Sequence, residues 1–226
     1  MRIKLAPSIM CADYAGLERE IRDVEKVGAD IIHFDVMDGH YVSNFVGDAG
    51  LVKALHGLTN LPLDIHLMCL EPERYLDIFP LRPGDGISFH PETSRHPHRL
   101  VESIRSRACL AGAAIRTDLP AGAMEELAPE LDYFTVMTID AGMPGTAFRF
   151  RALEKIAKVK DMAKAGGREI FAQVDGSVRP DNAAEIVGKG ADVLILGYPG
   201  CFDRELGTVA AMGRIRDVIG KICRRE

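Results

Sequence analysis

The chain has 226 residues, 47% hydrophobic and 27% charged, with a formal net charge of −5 at pH 7. This is enough apolar sequence for one sizeable core, and it sets the expectation of a single domain over residues 1–226. The acidic balance, with no basic cluster larger than Arg224-Arg225, excludes the positive stripe of a nucleic-acid binder, and no apolar run approaches the ~20 residues of a membrane span. The N-terminal segment carries no cleavage-site pattern, so a cytoplasmic location is expected. Cys11, Cys69, Cys109, Cys201 and Cys223 are odd in number and widely spaced, with no C-x-x-C pair; they read as reduced thiols rather than as a disulfide framework or a zinc knuckle.

Short apolar runs alternate with helix-period segments along the whole sequence. Residues 3–8 predict a first strand, and residues 15–27 a helix with Leu17, Ile21 and Val24 at helical spacing, closed by Gly28. Strand 31–37 is paired with helix 49–58, strand 63–67 with helix 72–79, strand 86–90 with helix 97–107, and strand 109–115 with helix 121–131. Strand 133–137 then precedes helix 150–165, strand 170–175 precedes helix 181–188, and strand 193–196 precedes helix 205–219. Nearly continuous apolar strands joined through helices imply a parallel sheet covered on both faces. Eight such units fit an α/β fold of the (β/α)8 TIM barrel type better than an open doubly wound sheet. Neither a G-x-G-x-x-G after the first strand nor a G-x-x-x-x-G-K-S/T is present to support a dinucleotide or P-loop site.

In such a barrel the chemistry lies at the C-terminal ends of the strands, where this sequence places unusual residues. His33 and Asp35 share one face of the second strand, because side chains two apart point the same way, while Ile32 and Phe34 pack oppositely. His66 sits in the third strand and Asp175 ends the seventh. Two imidazoles and two carboxylates suit one divalent ion, and this mixed set does not choose between zinc, manganese and iron(II). Left unpaired on buried strands they would be costly, which favours a metal site over four separate core residues. An ion there would polarise a substrate carbonyl, and carboxylates on opposite walls would take a proton from one face of the neighbouring carbon and return it to the other. The product of such a two-base transfer, through a metal-stabilised enediolate, is an epimer.

Glycine-bearing turns after the late strands, Gly142-Met143-Pro144-Gly145, Gly176-Ser177 and Gly197-Tyr198, offer backbone amides to a phosphate, so a phosphorylated sugar is the expected substrate class. Met37, Met68 and Met137 stand at strand ends, placed either as core filling or as an apolar floor for the site. Ser8, at the end of the first strand, is a candidate substrate contact. Asp38 and Asn44 fit turn or cap roles after the second strand, His90 can face the barrel mouth or merely end its strand before Pro91, and His96 and His98 are expected to be solvated.

Together these residues carry a resemblance. Leu5-Ala6-Pro7-Ser8-Ile9, His33-Phe34-Asp35-Val36-Met37-Asp38-Gly39-His40, Leu63-Asp64-Ile65-His66-Leu67-Met68, Val136-Met137-Thr138 and Val174-Asp175-Gly176 resemble the motifs of the ribulose-phosphate 3-epimerase family from end to end. The resemblance implies a ribulose-phosphate-binding barrel in which His33, Asp35, His66 and Asp175 hold the metal. Asp35 and Asp175 would be the acid/base pair, and Ser8 would contact substrate. Phosphate would be held by the 142–145 loop, by Gly176 and Ser177 and by the turn at Gly197. It also implies a homo-oligomer, dimer or hexamer, acting on ribulose 5-phosphate and xylulose 5-phosphate. Met10-Cys11, His90-Pro91-Glu92-Thr93, Asp175-Gly176-Ser177 and Gly200 before Phe202 are similar to the branch acting on allulose 6-phosphate. Ser43, the Ala141–145 segment with Pro144, and Tyr198-Pro199 depart from both branches. Proline has no N–H to donate and tyrosine replaces a small hydroxyl, so a reshaped phosphate pocket or a changed substrate is expected. Two other classes compete. A barrel relative that decarboxylates a phosphate substrate would be expected to carry a lysine beside its aspartates, which this chain lacks, and a sugar-phosphate-binding paralogue without activity would not need both aspartates.

Overall fold

The computed structural model describes residues 2–143 and 145–222, so Pro144, Cys223, Arg224 and Arg225 lie outside the described residues. Its strands are β1 (Lys4–Pro7), β2 (Ile32–Asp38), β3 (Phe45–Val46), β4 (Leu63–Met68), β5 (Gly86–Phe89), β6 (Leu110–Ile115), β7 (Tyr133–Met137), β8 (Phe171–Asp175) and β9 (Val193–Leu196). They form one sheet in the order β1-β9-β8-β7-β6-β5-β4-β2-β3, parallel throughout except for the β2–β3 pair. The sheet curls until its two ends meet: Ser8 bridges His33 in parallel, and the Asp30 amide donates to the Leu5 carbonyl at 2.9 Å. This is the expected TIM barrel, with β3 as a short hairpin outside it.

The helices are α1 (Leu17–Lys26), α2 (Ala49–Leu58), α3 (Pro97–Ser106), α4 (Lys155–Ala165), α5 (Pro180–Gly188) and α6 (Thr208–Ile222). Local signals set their ends. The Asp48 side chain accepts the Leu51 amide to start α2, and α5 opens with Pro180 at a position whose N–H has no helical partner to lose. Two expected helices are corrected. Residues 72–79 form a 3-10 turn at Pro72–Tyr75, and residues 121–131 form 3-10 turns at Ala121–Met124 and Ala128–Glu130. Pro80 and Pro83 close the first segment, while Gly122 and Pro129 interrupt the second before a helix can propagate. The final helix starts at Thr208 rather than near 205.

The apolar core is an annulus. Outward-facing strand residues such as Phe34, Ile65, Ile87, Phe134 and Val174 pack with helix residues including Ile21, Val52, Leu100, Ile156, Ile186 and Ile215. Inside the barrel Ala6, Val193 and Ile195 form one small apolar group and Met37 and Met68 with Val42 another, with buried polar side chains including His33, Asp35, Asp64, His66, Ser88, Thr135 and Gln173 on the wall between them. Among the described residues, no helix is long and apolar enough to cross a membrane, and Cys11, Cys69, Cys109 and Cys201 are unbridged.

Candidate metal and proton-transfer site

Strand register assembles the inner wall. Pairing of β2 with β4 sets His33 opposite Asp64 and Asp35 opposite His66, and pairing of β7 with β8 sets Met137 opposite Asp175. His33 Nε2 lies 3.2 Å from Asp35 Oδ1 and 4.0 Å from Asp175 Oδ2, while His66 Nδ1 lies 3.3 Å and 3.7 Å from the same two oxygens. One ligand atom from each of the four residues falls within 4.8 Å of the others. The sequence-predicted set is therefore brought together.

This cluster could hold a metal. His66 Nδ1 is fully buried and has no hydrogen-bond partner, yet it points at two carboxylates, which is the arrangement expected of a nitrogen waiting for a cation. Burial alone would push both aspartates up. Against that, the His33 and His66 rings beside Asp35 hold its carboxyl far below the usual carboxylate range. Asp175 is pushed up to about 6, by burial first and then by repulsion from Asp35, with His33 and His66 pulling the other way. Burial disfavours a charged His33, but Asp35 and Asp64 outweigh it and raise its pKa well above the ordinary value. Ser8 donates its hydroxyl to Asp35 Oδ2 at 2.7 Å, which fixes the carboxylate from the residue that follows β1.

Above the cluster lies a cavity of about 70 Å3. Ser8, Asp35, Met37, Met68, Met137, Gly142, Met143, Gly145, Asp175, Gly176, Ser177, Gly197 and Tyr198 all line it, so every expected site residue within the described residues is there except His33 and His66, which are fully buried beside Asp35. Met37, Met68 and Met137 are buried, and the first two pack with Val42 in a small cluster that floors the mouth. Gly176 has φ +115°, and a Cβ there would come within 2.6 Å of the Ile139 side chain, so backbone alone fits this turn. Ser177 is also left-handed at φ +50°, with its hydroxyl directed toward the Thr146 carbonyl 3.4 Å away. Tyr198 is 64% exposed, so the ring that replaces a small hydroxyl stands largely in solvent. A wider cleft of about 490 Å3 lies alongside, but Arg116 and Arg149 within it are already paired with Asp118 and Asp140.

Further residues border the site: Asp64, Tyr133 and Ile139, given no role of their own by the sequence, and Met10, Cys11 and His90, the last expected either to face the mouth or to end its strand. Met10, Cys11 and Ile139 also line the cavity. Asp64 accepts or shares the proton of His33 Nδ1 at 2.8 Å, and Tyr133 donates to Asp64 at 2.6 Å. His90 meets His66, Nε2 to Nε2, at 3.1 Å; burial, then the neighbouring His66 and Arg116, lower its pKa well below the ordinary value. Period-two spacing was the available signal for Asp64 and His90, since Asp64 precedes His66 by two and His90 follows Ser88 by two on inward-facing rows. Asp38 and Asn44 serve the turn: Asp38 accepts the amides of His40, Tyr41 and Leu70, and Asn44 accepts that of Phe45. His98 pairs with Glu130 on the surface.

A parallel barrel with buried carboxylates and imidazoles gathered at the carboxyl ends of its strands is the architecture of a barrel enzyme. Among solved structures, the chain is similar to KGPDC from Streptococcus mutans (TM-score 0.70, 13% identity, 98% of this chain and 99% of that one). It is also similar to phosphoribosyl anthranilate isomerase from Thermus thermophilus (TM-score 0.66, 12% identity, 97% and 100%), and at these identities the likeness is one of fold. The ribulose-phosphate 3 epimerase family profile matches residues 4–199. Ribulose-phosphate 3-epimerase of Bacillus subtilis is 41% identical over 196 residues, covering 86% of this chain and 90% of that protein. Ribulose-phosphate 3-epimerase 1 of Cupriavidus necator is 36% identical over 221 residues, covering 95% and 92%. The chain belongs to the ribulose-phosphate 3-epimerase family and is an isomerase.

Proposed function

We propose that this protein is a metal-dependent ketose-phosphate 3-epimerase that interconverts ribulose 5-phosphate and xylulose 5-phosphate. The observation that carries the reading is the pair of carboxylates, Asp35 from β2 and Asp175 from β8, that converge on one cavity beside two buried imidazoles. A substrate in that cavity places its third carbon between the two walls. One aspartate removes the proton from one face, the other delivers a proton to the opposite face, and the configuration at that carbon inverts. His33, Asp35, His66 and Asp175 would hold one divalent ion, zinc, manganese or iron(II), whose charge stabilises the negative charge developing on the substrate oxygens. Ser8 steadies Asp35, and the Met37, Met68 and Met137 side chains keep water from the reacting carbon. Gly145, Gly176, Ser177 and Gly197 line the end of the cavity where backbone amides would take the phosphate. The working form is a single-domain protein assembled as a homo-oligomer, in the cytoplasm.

The test is deuterium exchange followed by NMR in D2O, with protein loaded in turn with each of the three metals. Ribulose 5-phosphate, xylulose 5-phosphate, allulose 6-phosphate and fructose 6-phosphate are supplied separately. Label at the third carbon of the five-carbon pair, abolished by a chelator and restored by metal, supports the reading. Label only on the six-carbon pair reassigns the substrate to allulose 6-phosphate, a change for which Ser177 and Tyr198 are the residues in place. Absence of label from all four, in protein shown to bind metal, would leave a sugar-phosphate-binding paralogue.

A further inference from the structure

We infer that Tyr133 and Asp64 form a buried positioning device that fixes the ring of His33, turning Nε2 toward the cluster; the inference rests on the metal site proposed above. Three side chains stand in line inside the barrel. Tyr133 donates its hydroxyl to Asp64 Oδ1 at 2.6 Å, and Asp64 Oδ2 lies 2.8 Å from His33 Nδ1. All three are buried, and each carboxylate oxygen of Asp64 is taken by one of the other two side chains. The Tyr133 hydroxyl supplies one proton, and Asp64 is left to accept the second from His33 Nδ1–H. That leaves the Nε2 side of the ring to face Asp35 and Asp175.

The barrel is shaped around this arrangement. Tyr133 begins β7 and must reach over β6 and β5 to meet Asp64 on β4. The two intervening strands carry glycine where its ring passes: a Cβ on Gly112 would lie 2.3 Å from the Tyr133 ring, and one on Gly86 would lie 2.9 Å from its hydroxyl oxygen. Gly112 is the register partner of Tyr133, and Gly86 that of Asp64. Glycine inside a strand costs stability and marks a close approach, and here the approach is the tyrosine ring. A tyrosine present only to fill space would need neither the hydrogen bond nor a notch ending at its hydroxyl.

Tyr133→Phe keeps the ring and removes only the donor, and Asp64→Asn keeps the shape and removes the charge. In metal-free parent protein the His33 Nδ1–H should appear as a solvent-protected downfield proton, attached to the Nδ1 nitrogen in 15N-edited NMR. It should exchange faster in Tyr133→Phe and be lost to exchange in Asp64→Asn. Zn2+ affinity, read by chelator competition, should fall roughly 10–100-fold in Asp64→Asn and about tenfold in Tyr133→Phe. Melting by circular dichroism shows whether each variant is folded. An exposed or absent Nδ1–H in the parent, or parental exchange and Zn2+ affinity in folded Tyr133→Phe, overturns the device. If the parent protects the proton but binds no Zn2+, the metal reading fails while the positioning of His33 stands.

Discussion

His33 and His66 occupy adjacent strands and face the same two aspartates, but the partners behind them run to opposite ends of the barrel. Behind His33 the line passes through Asp64 to Tyr133 and stops at the base, with both carboxylate oxygens used. Behind His66 it passes to His90 at 3.1 Å, whose Nδ1 has no hydrogen bond and lies 3.7 Å from Glu92. Glu92 then takes the Tyr41 hydroxyl at 2.7 Å and faces Arg116 at 3.7 Å, at the mouth. One imidazole is held by a buried anion in a closed chain. The other leans on a neutral imidazole whose outer link is loose and borders the substrate entrance. The difference teaches that the base of this site is preorganised by strand register, whereas the mouth is left adjustable by the loops that carry Tyr41, Glu92 and Arg116.

The largest expected effect sets the scale for both imidazoles. Asp175→Asn should retain the fold and lose label exchange at the third carbon by roughly 10²–10⁴-fold, as expected for removal of a general acid–base group; full exchange would remove Asp175 from that role. The comparison itself is broken or sharpened by pairing Asp64→Asn with His90→Gln. Zn2+ affinity should fall roughly 10–100-fold for the first and less than about tenfold for the second, and equal losses would erase the contrast. At the mouth, Tyr198→Ser should shift KM for the phosphorylated ketose by less than about tenfold with kcat kept, since the tyrosine ring is mostly in solvent; a collapse of kcat would place Tyr198 in the chemistry. The smallest effect is a control away from both imidazoles. Asp132 accepts from Arg105 and Arg168 and from the Ala111 amide; despite partial burial, these partners hold its pKa below the usual carboxylate value. Its contribution is therefore present above the unfolded carboxylate pKa of roughly 4 and fades as pH falls toward the lower folded value. Asp132→Asn should cost about 1 kcal/mol at pH 7, discounted for its exposure, and the gap to the parent should narrow in acid. Urea denaturation at pH 7 and pH 3 measures both, and a gap that widens in acid contradicts the sign.

The strands were legible because parallel strands covered on both faces read as unbroken apolar runs, and His33 and Asp35 stood out inside one such run. The clustering of His33 and Asp35 was legible for the same reason: spacing of two puts both side chains on the inner face. Helical spacing misled at 72–79 and 121–131, where apolar residues recur suitably but prolines and a glycine leave too little chain between breaks. β3 left no mark, since two residues with Phe45 79% exposed carry no pattern. Asp64 was in plain view two residues before His66, but its facing of His33 is a matter of register between strands that the sequence does not contain. Tyr133 was hidden further, because its reach depends on glycines on two other strands. Pro144, in the 142–145 loop that the sequence reading assigned to phosphate, lies outside the described residues.

The apolar annulus between strands and helices separates what holds this chain together from what it does. Because the groups inside the barrel contribute little to that annulus, its inner wall resembles an insert seated in a sleeve. Exchanges in the mouth loops can alter the site while leaving the apolar burial of the sleeve in place, whereas exchanges on the inner rows must also keep buried polar partners satisfied. A barrel so divided lets the loops at its mouth vary with the smallest demand on the core.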